Sequence, residues 1–202
     1  MVAYRSACHL ADADGRGSGE TLRLGGADAY NDTMVFVLAE ADGCLRQALG
    51  LREGQQDLEA GQVRRLGRWR KIEPLVKSYA GNTAHVLGAV TDGGALAFIL
   101  RRARASADLI AALPRLSKKI LKAAMKVFSA GVGNEERDRT VRIQAALLVR
   151  RLADRVEGKE GLREEALRGF VRAYLSAARQ GTAAARPSLR LMADCVVEVL
   201  GV

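Results

Sequence analysis

From Tyr30 to the end, the apolar residues of this chain recur at helical spacing, and no segment alternates apolar with polar residues as a half-buried strand would. The breaks between stripes are glycine, proline or helix-capping residues: Gly131-Val132-Gly133, Gly158, and Gly181-Thr182 ahead of Pro187. Such a chain can bury its apolar surface only by packing helix on helix. Hydrophobic residues make up 49% of it and aromatics only 4%. The packing must therefore run through aliphatic ridges, since a β-sandwich would draw on more aromatic and β-branched side chains.

The spacing predicts about seven helices. Asn31-Asp32-Thr33 offers an N-cap for a helix to about Leu51, with Val35, Leu38, Leu45 and Leu49 inward. Residues 52–67 are polar and glycine-punctuated and read as a loop. Pro74 fits the first turn of the next helix, where a missing N–H costs nothing, and Leu75, Tyr79, Thr83, Val86, Leu87 and Val90 form its buried face. Asp92 caps a helix that buries Leu96, Ile99, Leu100 and Ala103. Two further turns lead from Ala107 to Leu113. Helices are expected near 115–129, 135–156, 161–179 and 187–200. Helices of this length joined by short loops match repeat geometry of about 40–47 residues per pair. The predicted fold is all-α, an irregular armadillo- or HEAT-like stack, with a closed helical bundle as the alternative. Residues 1–30, glycine- and aspartate-rich around Gly15, Gly17 and Gly19, are expected to be a flexible N-terminal segment, and 31–202 the helical domain.

No apolar run approaches the roughly 20 residues of a membrane span, so no membrane partner is expected. Met1 to Leu10 shows no basic start followed by a long apolar region, so no signal peptide is evident. The cysteines (Cys8, Cys44, Cys195) and histidines (His9, His85) are scattered, which argues against a disulfide framework or a zinc site. No cofactor is expected. Glu135-Glu136 is the best local acid–base pair, but it opens a helix, where carboxylates favourably meet the dipole. Ser78, Ser106 and Ser117 lie in no nucleophile-elbow context, and His85 has no nucleophile on its face. Neither an enzyme nor a small-molecule substrate is indicated.

The charge is uneven. Residues 1–61 hold five basic and ten acidic side chains, residues 62–130 fourteen and three, and residues 131–202 thirteen and ten. A middle segment with a surplus of eleven positive charges is the footprint of a polyanion or of an acidic protein. The sharpest feature is the 115–129 helix. At about 100° per residue, Leu116, Ile120, Ala124, Val127 and Phe128 share one side, and Arg115, Lys118, Lys119, Lys122 and Lys126 share the other. Arg101, Arg102 and Arg104, at the end of the preceding helix, are expected to assist.

The run Trp69-Arg70-Lys71-Ile72-Glu73-Pro74-Leu75-Val76-Lys77-Ser78-Tyr79 is followed in order by Thr91-Asp92 and Ala97-Phe98-Ile99-Leu100. Leu113-Pro114, Lys118-Lys119, Val127-Phe128 and Val141-Arg142-Ile143 come next, and the closing block runs from Pro187 to Glu198. This order resembles the middle and end of the nucleolar complex protein 2 family, over roughly Tyr30 to Val202. Phe128 stands where that family usually has a tryptophan, and Arg179 to Arg186 lacks its asparagine- and aromatic-containing stretch.

The resemblance implies a non-enzymatic scaffold of large (60S) ribosomal subunit assembly in the nucleolus, nucleus and nucleoplasm. It would pair with other helical nucleolar complex proteins and ride on pre-60S particles, touching ribosomal RNA. The alternative it leaves is a nuclear adaptor for histones or transcription factors. Family members are usually longer, so the chain is expected to be a piece of their helical core. Trp69, Pro74, Tyr79, Phe98, Pro114, Phe128 and Pro187 are the expected structural anchors.

Overall fold

The computed structural model describes residues 1–8, 27–52, 57–130, 135–156, 159–179 and 186–200. Among these residues ten helices and no strand occur. They are α1 (Val2–Cys8), α2 (Ala27–Leu49), α3 (Ala60–Arg65), α4 (Trp69–Ala89), α5 (Gly93–Ala105), α6 (Ala107–Ala111), α7 (Pro114–Ala130), α8 (Glu135–Arg155), α9 (Lys159–Arg179) and α10 (Arg186–Leu200).

The helices stack in pairs. One layer runs α4, α7, α9 and the other α5, α8, α10, and each helix packs on the next in its own layer as well as on its hairpin partner. The α1–α2 pair covers the α4 end, and α6 is the short connector that wedges between α7 and α8. Each pair therefore buries its apolar face against its neighbours, which is the logic of a helical-repeat stack.

Local signals explain the starts of α5 and α7. Asp92 accepts from the Ala95 N–H at 2.8 Å, as the expected N-cap of α5. Pro114 is the first residue of α7, and Leu113 O accepts from Leu116 and Ser117 at 3.0 and 2.9 Å. Buried Ser117 ties α6 to α7 by donating toward Ile110 O at 2.7 Å. The core of this region holds Leu96, Ile99, Leu100, Ile120, Ala124, Phe128, Leu148 and Leu152. Phe128 meets Phe170 of α9 edge-on, with ring centroids 4.8 Å apart. Where α9 crosses α7, Gly169 makes room: a Cβ there would come 2.9 Å from Met125 Cε.

Several expectations need correction. The N-terminal segment is not loop at its ends: Val2–Cys8 is a helix, Ala27 to Tyr30 begins α2, and Tyr4 is wholly buried. Tyr4 stacks on Tyr79 and shares a 3.0 Å hydrogen bond with Thr83, and burial drives its phenol pKa far above the ordinary value. The glycine-rich stretch 11–26 lies outside the described residues. In α2 the inward residues are Met34, Leu38, Ala41, Leu45 and Leu49, whereas Val35, about 100° around the helix from Met34, is exposed. The 52–67 loop contains α3, opened by a reciprocal capping box between Glu59 and Gln62. Pro74 sits inside α4 rather than in its first turn, since the helix begins at Trp69. Leu75 is exposed, while Tyr79, Thr83, Val86 and Leu87 are buried.

Candidate polyanion-binding surface

The lysines of α7 line up because the helix buries its other side. Ile120, Leu121, Ala124, Val127 and Phe128 are buried against α4, α8 and α9, and Leu116 is half-buried. Arg115, Lys118, Lys119, Lys122 and Lys126 are all exposed. Among the described residues one acidic group stands near them, Glu165 of α9, 3.6 Å from Lys122. Both members of that pair are substantially exposed, so it neutralises little. Lys118 and Lys122, like Lys122 and Lys126, stand at i, i+4, where like charges repel by a few tenths of a kcal/mol per pair. The face is electrostatically unfavourable by itself and would be relieved by a negative partner.

Arg101, Arg102 and Arg104 belong to a different surface. They lie on α5, in the other layer, and line an open cleft of about 550 Å³ with Ala105 and with Leu147, Arg150, Arg151 and Asp154 of α8. Arg102 is half-buried and fastened: its Nε donates to Leu38 O at 2.9 Å and its Nη2 to Ala39 O, both on α2. Arg101 and Arg104 make no hydrogen bond or ion pair among the described residues. Sequence reading missed Arg150 and Arg151. The only signal available was a second pair of adjacent arginines, and nothing in the sequence says that α8 packs on α5.

A buried carboxylate anchors the base of this region. Asp108 of α6 is fully buried. Its Oδ2 accepts from the backbone N–H groups of Asp57 and Leu58 at 2.9 and 3.2 Å and from Arg46 Nη2 at 3.5 Å. Its Oδ1 lies 3.6 Å from Arg151 and 3.7 Å from Arg155. Asp57 pairs with the same two arginines, and Asp42 holds Arg46 at 2.9 Å. One buried acid thus joins α2, the residues before α3, α6 and α8.

The other expected positions divide by burial. Trp69, Tyr79 and Phe128 are in the core, Phe98 is half-buried against it, and Pro74, Pro114 and Pro187 are exposed, acting through the backbone. Arg142 is buried over the Phe128 ring, 6.0 Å from its centroid, and donates to Phe128 O at 2.9 Å. Burial lowers its pKa, against the pull of Asp138. The side chains of Glu135 and Glu136 lie outside the described residues. Among the described residues no His, Cys, Asp and Glu side chains gather as a metal site, and no helix is long and apolar enough to cross a membrane.

No family model matches the chain, and no solved structure matches it. Two curated proteins of Arabidopsis thaliana are similar to it. Nucleolar complex-associated protein 2 is 29% identical over 203 residues, covering the whole of this chain and 26% of that protein. Protein REBELOTE is 27% identical over 124 residues, covering 61% of this chain and 20% of that protein. The chain spans about a quarter of the length of the first relative and a fifth of the second. Over its full length, then, this all-helical chain is similar to a nucleolar complex-associated protein.

Proposed function

We propose that the chain is a non-enzymatic helical scaffold of ribosome biogenesis in the nucleolus and nucleus. In this reading it acts on large-subunit precursors, in company with other helical nucleolar complex proteins, and the α7 face helps to hold it on ribosomal RNA. What supports the nucleolar part is the similarity to nucleolar complex-associated protein 2 along the whole chain. What supports the RNA part is the α7 face itself, with five exposed cations opposite the packed side and, among the described residues, one acid in ion-pair reach. No observation favours the histone or transcription-factor adaptor.

Phosphate contacts of this kind position a protein without reading sequence, which suits an assembly factor whose address is set by its protein partners. The test is binding of purified protein to ribosomal RNA fragments across a salt series. Changing Lys118, Lys119, Lys122 and Lys126 to glutamine leaves the buried side of α7 untouched, so folding should survive. Binding should weaken, and the slope of log affinity against log salt should flatten by up to about one unit per lost contact. Equal binding by parent and variant at every salt concentration would make the face merely solvated. Recruitment would then fall to the protein partners alone.

A further inference from the structure

The cleft between α5 and α8 is lined by five arginines and one acid, Asp154, which is already paired with Arg163 at 2.8 Å. Two of the arginines, Arg101 and Arg104, have no intramolecular partner among the described residues, and a third, Arg102, is held in place by two carbonyls of α2. On the opposite wall Arg150 and Arg151 each carry an acidic partner outside the lining, Glu198 and Asp57. The walls are therefore unequal: Arg101 and Arg104 are unpaired among the described residues, whereas Arg150 is oriented by exposed Glu198 and Arg151 by exposed Asp57 and buried Asp108. Forked guanidinium donors gathered around one cleft suit a tetrahedral anion with several acceptor oxygens, which arginine binds in bidentate fashion.

We propose that the α5–α8 cleft is a second phosphodiester site, separate from the α7 face, that clamps a stretch of RNA backbone between Arg101 and Arg104 on one wall and Arg150 and Arg151 on the other. This deepens the proposed function and rests on its reading of RNA as the polyanion. The lining decides between an RNA and an acidic peptide. A peptide partner draws its affinity from apolar anchors in dry pockets, and here only Leu147 and Ala105 are apolar. A phosphate backbone draws its affinity from counterion release, which needs only well-placed cations. No aromatic side chain lines the cleft, so it offers no platform for base stacking, and binding should be indifferent to sequence. Because the cleft lies in the α5–α8–α10 layer and the lysines in the α4–α7–α9 layer, RNA held at both would bridge the two layers of the stack.

The experiment measures fluorescence anisotropy of a labelled twelve-nucleotide poly(U) RNA, and of a twelve-residue polyglutamate peptide, over a potassium chloride series. Arg101→Gln/Arg104→Gln removes two cations that hold nothing else in the fold, so its melting temperature should match the parent's. Two lost single-strand contacts should flatten the salt slope by about 1.4 and weaken RNA binding by about 25-fold at 0.1 M salt. Arg101→Lys/Arg104→Lys should restore the slope but recover only part of the affinity, because charge returns without the fork. Polyglutamate binding should be weak in all three proteins. The proposal is overturned if the glutamine variant keeps the parent's affinity and slope, or if polyglutamate binding falls in step with RNA binding. Full recovery by the lysine variant would also overturn the clamp, leaving diffuse charge. The α7 quadruple variant run beside these separates the two readings. Loss only in α7 defeats the cleft and leaves the α7 face standing, and loss only in the cleft variant does the reverse. If the parent does not bind RNA at all, both fall.

Discussion

Replacing Asp108 with asparagine should destabilise the fold by about 2–3 kcal/mol, and the structure says why the figure is neither smaller nor larger. The amide oxygen can still accept the Asp57 and Leu58 N–H groups, so that part of the network survives. What disappears is the one negative charge shared by Arg46, Arg151 and Arg155. Breaking a buried ion pair from one side typically costs about 3–5 kcal/mol, because the orphaned charge stays behind. Here the orphaning is incomplete. Asp42 still holds Arg46, Asp57 still holds Arg151 and Arg155, and those last two side chains are 30% and 18% exposed to water. Asp108→Ala should cost more, about 4–5 kcal/mol, since two backbone donors also lose their acceptor at roughly 1 kcal/mol each. For a chain of this size 2–3 kcal/mol corresponds to a fall in Tm of about 5–10 °C. Urea unfolding followed by circular dichroism measures both variants, and a double-mutant cycle with Arg151→Gln should give a coupling of about 1 kcal/mol or more. A loss below about 1 kcal/mol for the asparagine variant, or an alanine variant no worse than it, would refute the claim that Asp108 is a charged hub.

Two further outcomes are expected. Trp69, 5% exposed at the start of α4, should act as a packing anchor: Trp69→Ala should cost about 3–5 kcal/mol, and unchanged thermal stability with reduced RNA binding would reverse that role. Among the thiols, exposed Cys44 should react with a disulfide reagent at once, and Cys8 and Cys195 only on unfolding. Burial raises the Cys195 pKa from 9.0 to about 11, with Asp194 adding to the shift. The unfolded thiol ionises first, so the stability associated with the neutral thiol is full below pH 9 and is lost as pH rises through about 11. A Cys195→Ala variant with the same alkaline stability loss as the parent would contradict this.

The helical period made α5 and α7 legible almost to the residue, because each has a capping or breaking residue at its start and a contiguous apolar stripe. The starts of α2 and α4 are not legible in the sequence, for one reason. Asn31 and Pro74 can each open a helix, yet both helices begin further toward the N-terminus, at Ala27 and Trp69. The α7 cations could be assigned to one face from spacing alone. The α5–α8 cleft could not, since it exists only where residues 101–105 meet residues 147–154 across the stack. Asp108 was likewise invisible: in sequence it is a lone aspartate in a short helix, and its three arginines come from 46, 151 and 155.

The most direct test of the nucleolar-scaffold reading is to purify the tagged protein from cells at near-physiological salt and quantify what accompanies it. Large-subunit ribosomal precursors, with their RNA and other helical nucleolar complex proteins, should be enriched, and the α7 quadruple glutamine variant should recover less precursor RNA while keeping its protein partners. Enrichment of histones or transcription factors without ribosomal precursors would contradict the reading.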